Sequence, residues 1–304
     1  MVSRLPLVRV SGRQRQMPSG DAVPVAAGGT GATSAAAARA NLAALSAALP
    51  SLRNRLINGA MSINQRTFSG GALAAGAYGY DRWKAGSSAA NMSVSSTGVI
   101  THSSGPIAQV IEDNNAADLS GSVITVSVED PSGSVSVSLA YSATSTSAVT
   151  GTIAAGPGRQ ALVLTLPAGT GNLTLTLTAS NVTYKRVQLE PGAVATGWDH
   201  RHRGIELALA QRYFWQGQPT PNLNFGAHTN GVYFSWPCAH PQVMRAAPTV
   251  TQSTSGVTQG GTDLFVFSNA DTHSSRLIMR SAAASTNCYF LWGASDYVAF
   301  DAEL

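Results

Sequence analysis

Ile124, Val126 and Val128 alternate with Thr125, Ser127 and Glu129. After Asp130-Pro131-Ser132-Gly133 the alternation resumes, with Val135, Val137, Leu139 and Tyr141 set against Ser136, Ser138 and Ala140. Successive side chains of a strand point to opposite faces, so a period of two demands half-buried β-strands. Asp, Pro, Ser and Gly between the runs are turn residues. The two runs are therefore expected to pair as a hairpin with one apolar and one polar face. The device repeats: Leu162, Leu164 and Leu166 alternate, Pro167-Ala168-Gly169-Thr170-Gly171 turns, and Leu173, Leu175 and Leu177 alternate again. Val182, Tyr184 and Val187-Gln188-Leu189 predict a closing strand, ended by Glu190-Pro191-Gly192. Many short strands with regular turns predict a jelly-roll or β-sandwich domain over residues 53–197.

Composition narrows what such a β-protein does. Charged residues make up 11% of the 304, against roughly 25% in an ordinary soluble domain. Hydrophobic residues at 44% suffice for packed cores, which excludes the low-hydrophobicity, high-charge regime of disordered chains. The net charge of +4 is small, and part of it lies in Arg4, Arg9, Arg13 and Arg15. No aromatic residue is interleaved with these arginines, so nucleic-acid binding is not expected. The first twenty residues lack a continuous apolar core, being broken by Arg4, Pro6, Arg9 and Arg13, so no signal peptide is expected. No stretch approaches the ~20 apolar residues of a membrane span, so no membrane insertion is expected. Cys238 and Cys288 are the two cysteines, too few for a disulfide framework; two buried free thiols is the plainer reading, and a single bond across one domain is the alternative.

The chain divides further. Residues 1–33 read as an extended arm punctuated by Pro6, Pro18 and Pro24. Thr33 or Ser34 can cap a short helix within 34–52, stopped by Pro50. Ala35, Ala38, Leu42, Leu45 and Leu49 recur three and four residues apart, an apolar seam for a partner helix in a short coiled-coil stem. A single helix packed on its own domain has the same pattern. In 198–218, Ile205, Ala208, Leu209 and Tyr213 share a helical face and predict a connector helix. Residues 219–304 are again β-like and rich in aromatics, and are expected to form a C-terminal β-sandwich tip. The fold class is thus mainly β.

Catalytic and metal chemistry find little purchase. Gly28-Gly29-Thr30-Gly31 lacks the Lys-Ser/Thr pair of a phosphate loop, and helix capping explains it better. Arg201 and Arg203 crowd His200 and His202 with positive charge, and Cys238 with His240 gives only part of a four-ligand zinc site. No Gly-x-Ser-x-Gly elbow occurs. Glu112, Asp113, Asp263 and Asp271 show no paired arrangement suited to glycosidase chemistry. No enzyme activity, metal or cofactor is expected. Aromatics are the better lead, because sugar rings stack their C–H faces on Trp and Tyr while polar neighbours hold the hydroxyls. Tyr233, Trp236, Trp292 and Tyr297 are the candidate carbohydrate-binding residues; a core role is the competing reading for each. Trp83 is expected in the middle-domain core and Trp215 against the connector.

Ala27-Gly28-Gly29-Thr30-Gly31-Ala32-Thr33, followed by an alanine run with Arg39, Asn41 and Leu42, resembles a motif recurrent in bacteriophage tail-fibre proteins. Asn54-Arg55-Leu56-Ile57-Asn58-Gly59-Ala60-Met61, with Gln65-Arg66 and Tyr80-Asp81-Arg82-Trp83, resembles the opening of a fibre β-sandwich domain. Val187-Gln188-Leu189-Glu190-Pro191-Gly192, then Ala195-Thr196, resembles its closing strand. Glu206-Leu207-Ala208-Leu209-Ala210-Gln211-Arg212-Tyr213 resembles the connector. Met244-Arg245-Ala246-Ala247-Pro248-Thr249-Val250 and Asp301-Ala302-Glu303-Leu304 resemble the terminal domain. The resemblance implies a virion-attached homotrimer, made in the host cytoplasm, whose arm 1–33 docks on other tail or baseplate proteins. It implies a middle domain built like a carbohydrate-binding module and outer domains that contact host-surface polysaccharide. A single Gly-Gly-Thr-Gly copy disfavours a long shaft. A structural baseplate, collar or head-fibre protein and a capsule-degrading tail spike are the alternatives.

Overall fold

The computed structural model describes residues 7–10, 13–16, 52–143, 147–218, 223–228, 231–253, 257–259, 262–268, 270–281, 285–291 and 296–304. The chain forms two compact units, Met1–Ser51 and Leu52–Leu304. In the first, β1 (Leu7–Val10) and β2 (Arg13–Gln16) pair antiparallel with Leu7 opposite Gln16. The expected arm therefore contains a small hairpin. The helix expected at 34–52, with its seam Ala35, Ala38, Leu42, Leu45 and Leu49, lies outside the described residues, apart from Leu52.

The second unit opens with a jelly roll. Its strands are β3 (Gly71–Leu73), β4 (Lys84–Ala85), β5 (Ala90–Val94), β6 (Ile100–Ser104), β7 (Pro106–Ile111), β8 (Val123–Glu129), β9 (Val135–Tyr141), β10 (Val149–Ile153), β11 (Arg159–Thr165), β12 (Leu173–Thr178) and β13 (Val182–Pro191). They form a five-stranded sheet, β10-β9-β12-β7-β4, and a six-stranded sheet, β11-β8-β13-β6-β5-β3. The antiparallel pairs β9/β10, β8/β11, β7/β12 and β6/β13 are nested one inside the next. Wrapped into two sheets, this nested hairpin is a jelly roll.

The two expected hairpins are corrected by this topology. β8 and β9 lie in different sheets, and so do β11 and β12. Asp130-Pro131-Ser132-Gly133 and Pro167–Gly171 carry the chain from one sheet to the other. The alternation itself holds: Ile124, Val126, Val128, Val135, Val137, Leu139, Leu173, Leu175 and Leu177 belong to one shared core and are at most 2% exposed. Each such side chain contributes about 1.5–3 kcal/mol by burial. The apolar period fixes which face is buried; strands facing one another across a core carry it as well as strands paired side by side.

The polar face of β8 is also covered. Thr125 and Ser127 are 0% exposed. Thr125 Oγ1 donates to the Gly192 carbonyl at 2.7 Å, and Ser127 Oγ accepts from Arg159 Nη1 at 3.0 Å. Beside them the buried Glu190 carboxylate accepts from the Thr196 N–H at 2.8 Å, the Thr196 hydroxyl at 2.6 Å and Gln188 Nε2 at 2.9 Å. The segment after β13 thus lies across the outside of the six-stranded sheet, and hydrogen bonds meet the requirement that buried polar groups be satisfied.

The opening and closing segments of the domain meet at Asn54. Its side chain accepts from Leu56 N at 3.1 Å and Leu189 N at 3.0 Å, and donates to Val187 O at 3.1 Å. Trp83 is fully buried, with its indole N–H on Asn58 O at 2.9 Å. Gly105, at φ +76°, turns between β6 and β7, where a Cβ would stand 2.2 Å from the Ala89 carbonyl. The Gly105 carbonyl accepts from His102 Nε2 at 2.7 Å, which leaves Nδ1 to accept from the buried Tyr184 hydroxyl at 3.0 Å.

Burial pushes the His102 pKa below its ordinary 6.5. The unfolded chain then binds a proton that the folded chain resists. Stability is complete above about pH 6.5 and falls as acid is added, by at most about 1.4 kcal/mol per pH unit for one histidine. His240 is shifted in the same direction, also by burial. Urea midpoints measured from about pH 7 to 5 are expected to decline, and His102→Gln to flatten the decline. An unchanged slope in that variant would remove His102 as the source.

The connector helix runs Arg203–Gln211, inside the expected 198–218. His202 Nδ1 caps it by accepting the Gly204 N–H at 3.2 Å. The expected apolar face is only partly used inward: Tyr213 is buried just past the helix end, whereas Ile205 is 54% exposed.

Beyond it come β14 (Phe214–Gly217), β15 (Leu223–His228), β16 (Tyr233–Ala239), β17 (Thr249–Ser253), β18 (Val257–Gln259), β19 (Thr262–Ser268), β20 (Ser274–Ser281), β21 (Ser285–Leu291) and β22 (Tyr297–Asp301). They form three three-stranded sheets, β14-β22-β17, β15-β21-β18 and β16-β20-β19. The registers join them into one ribbon: β14, β15 and β16 follow one edge, β17, β18 and β19 the other, and β20, β21 and β22 return between. Ala239 stands opposite Ser274, and Thr249 opposite Asp301. A straight ribbon would separate those levels by about 90 Å. The link from Ala239 to Thr249 reaches about 35 Å at most. The ribbon therefore folds back on itself, and the His240 ring meets the Phe300 ring at 4.4 Å. Met244 N donates to Thr272 O at 2.7 Å, and Met244 packs with Val298, Phe300 and Ala302.

Candidate functional site

β16 is an edge strand carrying two of the predicted sugar-binding residues. Tyr233 is 60% exposed and Trp236 42%. Their spacing of three along a strand puts them on opposite faces. Trp236 shares its face with Cys238, which is buried and free, and stands opposite Leu277, which is 1% exposed. Tyr233 shares the other face with Ser235 and Pro237, all of them exposed. Tyr297 is on β22, in a different sheet, opposite Ser253 and half-buried. Trp292 lies outside the described residues. The structure therefore brings Tyr233 and Trp236 onto one exposed edge, and Tyr297 onto another sheet. Odd spacing within a strand was the signal that the pair cannot share one platform.

Two concavities among the described residues were missed by sequence reasoning. One is a groove of about 520 Å³ along the connector helix, lined by Ile205, Ala208, Leu209 and Val243, with His202, Arg212 and Gln242 at its rim. Arg212 and Arg245 both reach Glu112, at 3.3 and 3.8 Å, and so fix the helix end and the facing loop to the jelly roll. The helical stripe was legible, but its partner Val243 is remote in sequence. The other is a trough of about 280 Å³ on the five-stranded sheet, lined by Ser136, Ser138, Thr150, Thr152 and Thr178, with Val137 and Gly151. It offers hydroxyl donors and acceptors and no aromatic ring.

The C-terminal residues are clamped to the jelly roll by a buried charge cluster. Arg82 and Glu303, 1% and 3% exposed at their side chains, form an ion pair. Arg66 reaches Glu303 at 3.3 Å and Asp301 at 3.2 Å. Arg82 stacks over the Tyr213 ring at 3.5 Å from its centroid, and Arg66 over Phe214 at 3.5 Å. The Tyr78 hydroxyl donates to the Leu304 carbonyl at 2.7 Å. Burial first, and then the Glu303 charge, push the Tyr78 pKa well above its ordinary value. Burial likewise lowers that of Lys84.

Several of the groups weighed for metal or acid–base chemistry have structural partners. His202 caps the connector helix. Arg201 reaches Glu206 at 3.4 Å and Asp199 at 3.7 Å. His240 Nε2 hydrogen-bonds Ser275 Oγ at 2.8 Å. Burial raises the Cys238 thiol pKa, away from the reactive thiolate. Glu112 is held by its two arginines. Asp271 accepts the backbone N–H groups of His273 and Ser274, both at 2.7 Å, which lowers its pKa. The side chain of Asp263 lies outside the described residues. Among the described residues no group of three or more His, Cys, Asp or Glu is placed to hold a metal ion, and no helix is long and apolar enough to cross a membrane. Trp215, on the strand that follows the connector helix, stacks on Phe300 at 5.4 Å between ring centroids.

No protein-family model and no curated protein matches the chain. Among solved structures it is similar to recombinant discoidin II of Dictyostelium discoideum, at 13% identity over 64% of this chain and 77% of that one, with a TM-score of 0.21. It is also similar to wild-type discoidin II from the same organism, at 14% identity over 80% and 92% of the two chains, with a TM-score of 0.22.

Proposed function

We propose that the chain is a subunit of a bacteriophage tail fibre, a non-enzymatic adhesin that binds host-surface polysaccharide. The observation that carries the reading is the exposed aromatic edge: Tyr233 at 60% and Trp236 at 42%. Large aromatic side chains left in solvent mark interaction surfaces more often than scattered aliphatics do, and sugars present apolar faces that fit them. The hydroxyl-lined trough over Ser136, Ser138, Thr150, Thr152 and Thr178 adds donors and acceptors suited to a glycan. The likeness of Ala27–Thr33, Asn54–Met61 and Val187–Gly192 to segments of tail-fibre proteins supports the virion part of the reading. In this reading three copies join through the seam Ala35, Ala38, Leu42, Leu45 and Leu49, and avidity multiplies weak single-site binding.

The test is adsorption of the full chain to host cells, with competition by cell-surface polysaccharide. Tyr233→Ala with Trp236→Ala is expected to weaken binding about tenfold or more, since each lost aromatic contact is worth on the order of 1 kcal/mol. Unchanged adsorption by that double variant, together with virions that adsorb normally without the protein, would exclude an adhesin. Loss of assembled particles would then assign it a structural role, and release of reducing ends from capsule would assign it to the tail spikes.

A further inference from the structure

β11 ends the six-stranded sheet; β10 packs against it at Leu162, and among the described residues no strand is hydrogen-bonded to its outer side. Two backbone contacts fix which of its groups face outward. Leu166 N donates to Ser122 O at 2.9 Å, and Asp130 N to Gly158 O at 2.8 Å. Both lie in the β11/β8 register, in which Leu162 is opposite Val126. In an antiparallel ladder, residues with both backbone groups turned to the partner alternate with residues that turn both away. Even-numbered residues of β11 therefore bond β8. The N–H and C=O of Ala161, Val163 and Thr165 point to the open edge. The side chains of these three residues are exposed, Val163 by 47%.

Open edges are normally blunted by charge, proline or bulges. Across Ala161–Thr165 none of these occurs. Between Asp130 and Lys185 the only charged residue is Arg159. Its guanidinium folds back over its own sheet, to Ser127 Oγ at 3.0 Å and the Arg186 carbonyl at 3.2 Å. The register of β11 on β8 runs from Arg159 to Thr165 without a shift.

We infer that β11 pairs antiparallel with β11 of a second copy, about a two-fold axis through Val163. The edge is self-complementary about that residue. Val163 meets Val163, and Ala161 meets Thr165, with every outward N–H finding an outward C=O. Leu162 meets Leu164 between them. Pro167, which has no N–H, falls opposite Arg159 and ends the ladder. An isologous contact of this kind closes on itself. It joins two six-stranded sheets into one. In a three-fold fibre it links one fibre to another rather than building the trimer, so it stands independently of the glycan reading.

Light scattering of the full chain over a rising concentration series tests it, beside Val163→Lys, which sets two ammonium groups face to face at the axis. The parent is expected to reach twice the mass of the variant. A parent that stays at the variant's mass leaves the edge to a strand of another protein and overturns self-pairing. Mild oxidation gives a second readout. Paired residues of this kind have Cα atoms about 5.5 Å apart, within the ~4.4–6.8 Å a disulfide spans. Val163→Cys is expected to give a covalent dimer and Ala161→Cys, whose neighbour is Thr165, none. Equal linkage in both variants, or none in either, overturns the two-fold axis.

Discussion

Arg82→Leu is expected to destabilise the chain by about 3–5 kcal/mol, the range for removing one partner of a buried ion pair. Arg82 and Glu303 are both nearly inaccessible. The Arg82 guanidinium also donates to the Val110 carbonyl and covers the Tyr213 ring. Leucine can fill part of the volume but satisfies none of these groups. Glu303 would keep only Arg66, whose side chain is 15% exposed and which is shared with Asp301. Urea unfolding followed by tryptophan fluorescence reads the loss. A change under about 1 kcal/mol would mean that the clamp contributes little to stability.

Trp83→Ala is expected to cost about 3–5 kcal/mol, as large-to-small changes at a filled core position do. Trp83 is 0% exposed, and its loss also strips the Asn58 carbonyl of its indole donor. Asn58 is itself a junction: its side chain donates to Ile63 O at 2.8 Å and Asp81 O at 2.9 Å. Trp83→Phe keeps an aromatic ring in the site and gives up the N–H with part of the indole volume, so its effect is expected to be smaller by about half or more. Thermal melts of the two variants separate packing from hydrogen bonding. Equal losses would assign the whole effect to the Asn58 contact.

Much of the architecture was legible in the sequence. The inward residues of β8, β9, β11 and β12 follow from period two alone, because a strand has only two faces. The pairing of those strands did not follow, since Val126 and Leu139 lie in different sheets yet face one core. Thr125 and Ser127 resemble solvent-facing residues until Gly192 meets the first and Arg159 the second, contacts no local pattern announces. The connector's apolar stripe was visible, but which part of it would be covered depended on Tyr213 turning inward and Val243 approaching from elsewhere. For the candidate site, residue type was readable and geometry only in part. The spacing of Tyr233 and Trp236 excludes a common face, whereas the placement of Tyr297 on another sheet depends on how the ribbon folds.

That ribbon dictates an order of events during synthesis. Phe214 must find Asp301, and Thr249 must find the same residue, so both outer edges leave the ribosome before the middle strand that joins them. Apart from the β19/β20 turn, every contact in the ribbon closes a long loop, and such contacts form slowly. The jelly roll, whose innermost pair β9/β10 is local, can begin to order while translation continues. The C-terminal sheets wait for their middle strands β20, β21 and β22 in turn, and until each arrives two rows of unsatisfied backbone groups stand open to chaperones or to neighbouring nascent chains.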